Sequence, residues 1–478
     1  MTSAVDPPAG SLPSRASAER AQRLLERALG PSKVLTDPEA CAPYASDESE
    51  AEGRVPDAVV LATSPEDILA ALSVARETGV PVTPRGAGTG RTGGATPTEG
   101  GIVLSSIGMN RIVHIDRRER VAVVEPGVVL AELHAAVEAE GLFYPPDPNS
   151  LASCAIGGNL AENAGGPRAF KYGVTGHYVL GVEAFLMGGQ RIFAGKRTVK
   201  GVTGYDVTSL LVGSEGTLAV LGAATLRLVP LPESATTLLG LFDGSANAMR
   251  AVGEIVAAGL TPRCIEFLDD STLGALRAAG NAIPATARAL LIVEVDGDER
   301  ACEAQTERIA GALADVSAID LVVARDGAQR ESLWSARREM SRAVRRMAKK
   351  KLSEDVVVPR QRLGELLECT AVQSERSGVR ALSYGHAGDG NLHVNFLWNE
   401  DEERPNVELS IEQLFRDVVR LGGTLSGEHG IGVTKAPYLP IEQSSELIML
   451  QRDIKRTFDP EGLLNPGKIF ATASHRAC

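Results

Sequence analysis

Residues 84–94 read PRGAGTGRTGG. Gly88, Gly90 and Gly93 spell GxGxxG, the signature of a dinucleotide-binding βαβ turn. That turn must open directly into a helix whose N-terminus meets the pyrophosphate. Here the chain continues ATPTEGG (95–101), and a proline with two glycines excludes such a helix. A P-loop is excluded too, because no Gly-Lys-Ser/Thr follows. What remains is a long loop of backbone N–H groups with no Cβ in the way, a nest for a phosphate or pyrophosphate. Arg85 or Arg91 can add charge to it. Five glycines in residues 86–94 exceed what an ordinary surface turn requires.

Two further stretches share this character. They are PDPNSLASCAIGGNLAENAGGPRAFKYG (146–173) and GYDVTSLLVGSEGTLAVL (204–221). Glycine mixed with Asn, Ser and Thr lines a buried, extended ligand, since backbone donors come close and few side chains intrude. Of the 50 glycines in 478 residues, 31 lie in residues 79–101, 157–216 and 378–432. The glycine excess is therefore a set of ligand-lining loops.

The rest of the composition excludes several classes. A 44% hydrophobic content rules out a disordered chain. No apolar run approaches the ~20 residues of a membrane span, so the protein is expected not to be transmembrane. Cysteines 41, 154, 264, 302, 369 and 478 form no CxxC pair, which speaks against a zinc ribbon, a redox dithiol or a Cys-ligated iron–sulfur cluster and suits a reducing, cytoplasmic compartment. The first 16 residues lack an apolar core and read as a loose tail rather than a secretory signal. A net charge of −12 argues against nucleic acid as a partner. One local exception is SARREMSRAVRRMAKKK (335–351), with eight basic residues and one acid. Arg338, Arg342, Arg345 and Lys349 follow helical spacing, so the stretch predicts a helix whose basic face is either solvated or captures an anion.

Periodicity places a helix at 17–30, a strand at 59–62, a helix at 65–78 with Ser64 as N-cap, and a strand at 80–83. TLRLVPLP (225–232) ends in two prolines and reads as a domain exit. From about 233 the pattern becomes strand (LLGLF), helix (SANAMRAVGEIVAAG), strand (RCIEFL) and strand (ALLIVEV), a helix-plus-antiparallel-sheet unit.

Three of the seven histidines fall between 386 and 429. In YGHAGDGNLHVNF (384–396) the seven-residue spacing of His386 and His393 would put them on opposite faces of one strand. Ala387–Asn391 is a strong turn signal, however. His386 then ends one strand, His393 begins the next, and both can face one site, with Asn395 on the face of His393. TLSGEHGIG (424–432) sets Glu428 and His429 between glycines. Two His and one Glu make the ligand set of an open divalent metal site. The alternative is a chance gathering of hairpin histidines and a loop acid.

The three glycine stretches together resemble the FAD-binding domain of the vanillyl-alcohol oxidase/p-cresol methylhydroxylase superfamily. HxGDGNxH and GEHG narrow the resemblance to glycolate oxidase flavin subunits, D-lactate dehydrogenases and D-2-hydroxyglutarate dehydrogenases, over about residues 40–470. It implies an α+β fold: a two-part FAD-binding domain at 17–232, a cap or substrate domain at 233–440 with an antiparallel sheet flanked by helices, and a return to the FAD domain at 441–478.

It also implies an FAD-dependent dehydrogenase that oxidises a small D-2-hydroxy acid. The cofactor would be bound by Pro84, Arg85, Gly86, Ala87, Gly88, Thr89, Gly90, Thr92, Gly93 and Gly94 in the first loop. Pro146, Asp147, Ser150, Gly157, Gly158, Asn159, Asn163, Gly165 and Gly166 would contribute from the second, with Glu215 and Gly216 from the third. LLNPGKIF (463–470) adds Asn465. The first loop lacks the His that often carries covalent flavin in the superfamily, so FAD is expected to be noncovalent.

By the same resemblance His386, His393 and Glu428 would ligate a divalent metal, zinc first among candidates. His429 would be the catalytic base, Asn395 a substrate contact, and Arg337 in LWSARRE (333–339) the partner of the substrate carboxylate. Some relatives hold a second carboxylate with a lysine; the nearest here is Lys351, in an open register. Lactate, glycolate and 2-hydroxyglutarate all remain candidate substrates. Electrons leaving FAD need an external acceptor: an electron-transfer flavoprotein, quinone, cytochrome or iron–sulfur subunit, with peripheral membrane association through it. A homodimer is compatible with the family. Two alternatives are a flavoprotein subunit that needs a partner for turnover, and a metal-free flavin oxidase, against which HxGDGNxH and GEHG argue.

Overall fold

A computed structural model describes residues 12–198, 200–324 and 326–471. The chain divides into two compact units. The first takes the chain up to Ala164, Val174–Leu231, and Glu428 onward; the second takes Gly165–Gly173 and Pro232–Gly427.

In the first unit, Ser64 and Asp67 form a capping box that starts the helix Pro65–Thr78, and Gly79 ends it in the left-handed region. The helix buries Ile68, Ala71, Leu72 and Ala75 in one core with Val60, Val82, Ile102 and Leu104. Those last residues come from a four-stranded sheet in which Ala58–Leu61 and Val82–Arg85 both run parallel to Ile102–Ser105. The strand expected at 80–83 starts two residues later, since Pro81 has no N–H to give a ladder and sits just before it. The shift delivers the strand end directly into the loop that begins at Gly86. A five-stranded antiparallel sheet completes the unit, in the order Ile112–Asp116, Val121–Val124, Val220–Arg227, Val179–Phe185, Arg191–Gly195.

The second unit is built on a seven-stranded antiparallel sheet. Its order is Asp320–Val323, Ser234–Phe242, Ala289–Gly297, Cys264–Leu268, Arg380–His386, Asn391–Trp398, Lys350–Val357. The central strands are buried along nearly their whole length, because both faces are covered, and they read as near-continuous apolar runs. On one face Leu290, Ile292 and Leu382 pack with Leu273 and Leu276 of the helix Asp270–Ala278 and with Met340 and Val344 of the helix Gly327–Arg345. The same face turns polar further along the strands.

Three differences from the sequence expectation have local causes. The basic helix ends at Arg345, and Lys350 and Lys351 enter a strand, where eight-residue pairing with Asn391–Trp398 overrides their helical spacing. Arg338, Arg342, Arg345 and Lys349 are exposed, so the basic face is a solvated one. The return to the first unit comes at Glu428, earlier than the 441 expected, because Ile431 and Gly432 donate backbone hydrogen bonds to Glu215 and Val433 donates to the Thr92 carbonyl. Residues 165–173 leave the first unit because Lys171 Nζ pairs with Asp296 Oδ1 at 2.5 Å and the Tyr172 hydroxyl donates to Asp296 Oδ2 at 2.8 Å.

Candidate active site

The hairpin Arg380–His386/Asn391–Trp398 carries the two predicted histidines. Its turn closes through Gly390 at φ +89°; a Cβ there would lie 2.1 Å from the Val358 carbonyl oxygen, so only glycine fits. Tyr384 faces His393 in register and Leu382 faces Asn395. Directly paired residues share a sheet face, so Tyr384, His386, His393 and Asn395 project to one side. The imidazole centroids of His386 and His393 are 5.3 Å apart, and ligating nitrogens of the pair lie within 4.8 Å.

The neighbouring strands bring a carboxylate to each histidine. Glu266 pairs in register with His386, and Asp355 with His393. His386 Nδ1 and Glu266 Oε1 are 2.5 Å apart. Arg337 Nε, from the helix Gly327–Arg345, donates to Glu266 Oε2 at 2.6 Å. Burial alone would raise the Glu266 carboxyl, but His386 and Arg337 beside it hold it at about 2. Arg337 is 6% exposed, and its Nη2 is buried with no hydrogen-bond partner. The Lys351 ammonium and the Arg337 guanidinium flank the Tyr384 ring at 5.7 and 5.6 Å. Lys351 Nζ donates to the Tyr384 hydroxyl (3.2 Å), which donates to Asn395 Oδ1 (3.3 Å), and Asn395 Nδ2 donates to the His393 carbonyl (2.9 Å).

Asp355 accepts from Asn391 Nδ2 at 2.6 Å, from the Gly427 N–H at 2.9 Å and from the Ser426 hydroxyl at 3.3 Å, and lies 3.8 Å from His393 Nδ1. It thus ties Ser426–Gly427 to the histidine strands. Glu428 follows Gly427 by one peptide bond, which fixes its Cα about 3.8 Å away. Two imidazoles on one face, each with a carboxylate beside Nδ1, are the donor chemistry of a first-row divalent ion. Glu266 and Asp355 both escaped sequence reasoning. The one signal for Glu266 is a lone acid in the apolar run RCIEFL, since an acid inside a buried strand needs a cationic or donor partner.

In the first unit the glycine stretches pack backbone to backbone. A Cβ on Gly86 would sit 3.4 Å from the Gly158 nitrogen, and one on Gly432, at φ +52°, only 2.2 Å from the Thr92 carbonyl oxygen. Arg85 donates to the carbonyls of Ser46 (2.8 Å) and Ala95 (3.3 Å), and Arg91 pairs with Glu48 at the surface. Both arginines therefore brace the loop. Several residues expected at the cofactor brace it too. Thr92 Oγ1 donates to the His429 carbonyl, Asn163 Oδ1 accepts from the Gly176 N–H, and Asn465 Nδ2 donates to the carbonyls of Gly94 and Glu215. Gly158 differs: a Cβ there would meet nothing within 4 Å, and the adjacent Asn159 Nδ2 is buried with no hydrogen-bond partner. Open backbone beside an orphaned donor fits an extended phosphate-bearing ligand. Glu162, also missed by sequence reasoning, buries Oε2 without a partner near Gly430, and burial and Glu215 both raise its carboxyl. His429 Nε2 lies 3.8 Å from Glu428 Oε1.

Two families match this chain in succession. Residues 56–195 match the FAD binding domain family, and residues 231–469 match FAD linked oxidases, C-terminal domain. The glycolate oxidase subunit GlcD of Bacillus subtilis is 40% identical over 432 residues, 90% of this chain and 92% of that protein. D-lactate dehydrogenase of Archaeoglobus fulgidus is 38% identical, covering 86% and 90%. D-2-hydroxyglutarate dehydrogenase of Stutzerimonas stutzeri is 33% identical, covering 94% and 98%. Among solved structures, p-cresol methylhydroxylase with substrate bound superposes at a TM-score of 0.81 with 15% identity, over 98% of this chain and 99% of that one, which establishes the shared fold. The two-part α+β architecture, both family matches and near full-length identity of up to 40% lead to one conclusion: this chain belongs to the FAD-linked oxidases, in the group that contains glycolate oxidase flavin subunits and D-lactate and D-2-hydroxyglutarate dehydrogenases.

Proposed function

We propose that this FAD-linked oxidoreductase oxidises a small D-2-hydroxy acid, of the lactate, glycolate or 2-hydroxyglutarate type, to the 2-oxo acid. The observation that carries the reading is Arg337: a buried guanidinium with one unpartnered nitrogen, on the helix that covers the sheet face of His386 and His393. A buried donor of that kind is costly unless an anion satisfies it. A substrate carboxylate is the matching group, because a guanidinium prefers it in bonds of fixed geometry. The relatives' names, which describe hydroxy-acid oxidation, support the same class.

Arg337 Nη2 holds the carboxylate, and Asn395 on the same face orients the substrate. His429 takes the hydroxyl proton as the Cα–H bond breaks, the general-base role to which an imidazole side chain is suited. His386, His393 and Glu428 would hold a divalent ion, zinc or a first-row neighbour. Such an ion supplies Lewis acidity toward the hydroxyl and carboxylate oxygens. Gly158, Asn159 and the glycine loops would hold FAD noncovalently, and the flavin would supply the hydride acceptor. Lys351 and Tyr384 stand on the face where a longer acid would place its second carboxylate. An external acceptor reoxidises the flavin.

Anaerobic mixing of the yellow protein with a panel of D-2-hydroxy acids tests the proposal. At least one acid should bleach the flavin fully. A flavin that no such acid bleaches would sink it and favour a subunit whose turnover needs a partner.

A further inference from the structure

We propose that Glu266 is the positioning residue shared by both halves of this site: one buried carboxylate that sets the ligating nitrogen of His386 and the pose of Arg337, so that metal affinity and carboxylate recognition depend on a single side chain. The inference rests on the functional reading above and adds to it a residue outside the metal ligands and substrate contacts.

The geometry divides the carboxylate evenly. Oε1 takes His386 Nδ1 at 2.5 Å, and Oε2 takes Arg337 Nε at 2.6 Å. Glu266 is fully buried, and its strand position directly opposite His386 fixes the separation through the backbone ladder. An imidazole that donates Nδ1–H to a carboxylate carries its lone pair on Nε2, which becomes the metal-binding nitrogen. An arginine anchored through Nε cannot swing its fork, so Nη2 points where the fold directs it. Its lack of a partner there is the mark of a pre-set receptor. A side-on ion pair would give the carboxylate both Nε and Nη2; this one engages Nε and leaves Nη2 buried with no partner.

Glu266→Gln tests this, because an amide offers one acceptor oxygen to two donors and must fail one of them. In the FAD-loaded full-length protein, a Zn2+ titration against a competing chelator should show affinity lowered by about 10–100-fold, the usual effect of losing a carboxylate behind a ligating histidine. KM for the hydroxy acid should rise by about tenfold, while kcat at saturating Zn2+ and substrate, and the flavin content, stay within about threefold of wild type. A merely structural residue would not separate KM from kcat. Unchanged Zn2+ affinity and unchanged KM would overturn the role of Glu266. Wild-type protein that binds no Zn2+ at all would instead overturn the metal reading on which it rests. Should Glu266→Gln fail to fold, the wild-type protein decides: 15N-histidine spectra of the metal-free form should show His386 as the Nδ1–H tautomer, and the Nε2–H tautomer would refute the proposal.

Discussion

The first unit presents backbone at its glycine loops, and the second presents side chains at its histidine strands. Around Gly158 there is open space where a Cβ would stand, while Asn163, Glu215 and Asn465 spend their polar groups on neighbouring loops. Around His386 the reverse holds. Glu266, Arg337, Tyr384, His393 and Asn395 crowd one sheet face, each side chain bonded to or stacked on the next. A site made of backbone fails when an atom is added; a site made of side chains fails when one is removed.

The hardest test of that contrast is Gly432→Ala. The added Cβ meets the Thr92 carbonyl oxygen at 2.2 Å in the left-handed region, so the two loops must separate, at a cost of several kcal/mol. Flavin per chain, read from absorbance, should fall to near zero. Gly253→Ala, inside the helix Ser245–Ala257 with nothing within 4 Å, is the matched control and should raise stability by about 0.5–1 kcal/mol. Equal flavin content in the two variants would break the comparison.

Next in size is His429→Ala, which removes a side chain from a loop made of backbone. Flavin should stay bound while its reduction in stopped-flow slows by ~100-fold, the scale of a lost general base. A rate near wild type would remove His429 from that role. The smallest effect sharpens the account of the second unit. Asp269 caps the helix Asp270–Ala278 and accepts from the Ser383 N–H on the histidine strand. Burial raises its carboxyl from an ordinary value near 3.9 to about 6. The folded state therefore holds this proton more tightly than the unfolded chain. Its stabilising contribution is complete below about pH 4 and is lost as pH rises through about 6. Thermal melts of wild type and Asp269→Asn across pH 4–7 should diverge in slope in that sense, and parallel slopes would refute it.

The glycine loops were legible in the sequence, since a shortage of side chains is visible as composition. The His386/His393 pair was legible because AGDGN cancels the odd spacing. Glu266 was not, because its partner lies 120 residues away and only the register between two strands brings them together. Arg85 and Arg91 misled for a related reason: the groups that bind them, the Ser46 and Ala95 carbonyls and Glu48, lie on loop segments whose approach no local pattern encodes. Lys350 and Lys351 continued a helical charge pattern into a strand, where pairing outweighed periodicity.

The short detour of Gly165–Gly173 into the second unit bears on how the chain can be divided. The polypeptide passes between its units four times, at 164/165, 173/174, 231/232 and 427/428. A fragment cut at the two long-range junctions, residues 232–427, would take Asp296 with its side chain wholly buried and leave Lys171 and Tyr172 behind. Arg263 Nη1, 3.6 Å from Asp296 Oδ2, would stay with the fragment, but the closer contacts to Lys171 and Tyr172 would be lost. The second unit is thus a poor candidate for excision, grafting or exchange between relatives unless the nine residues of that detour travel with it.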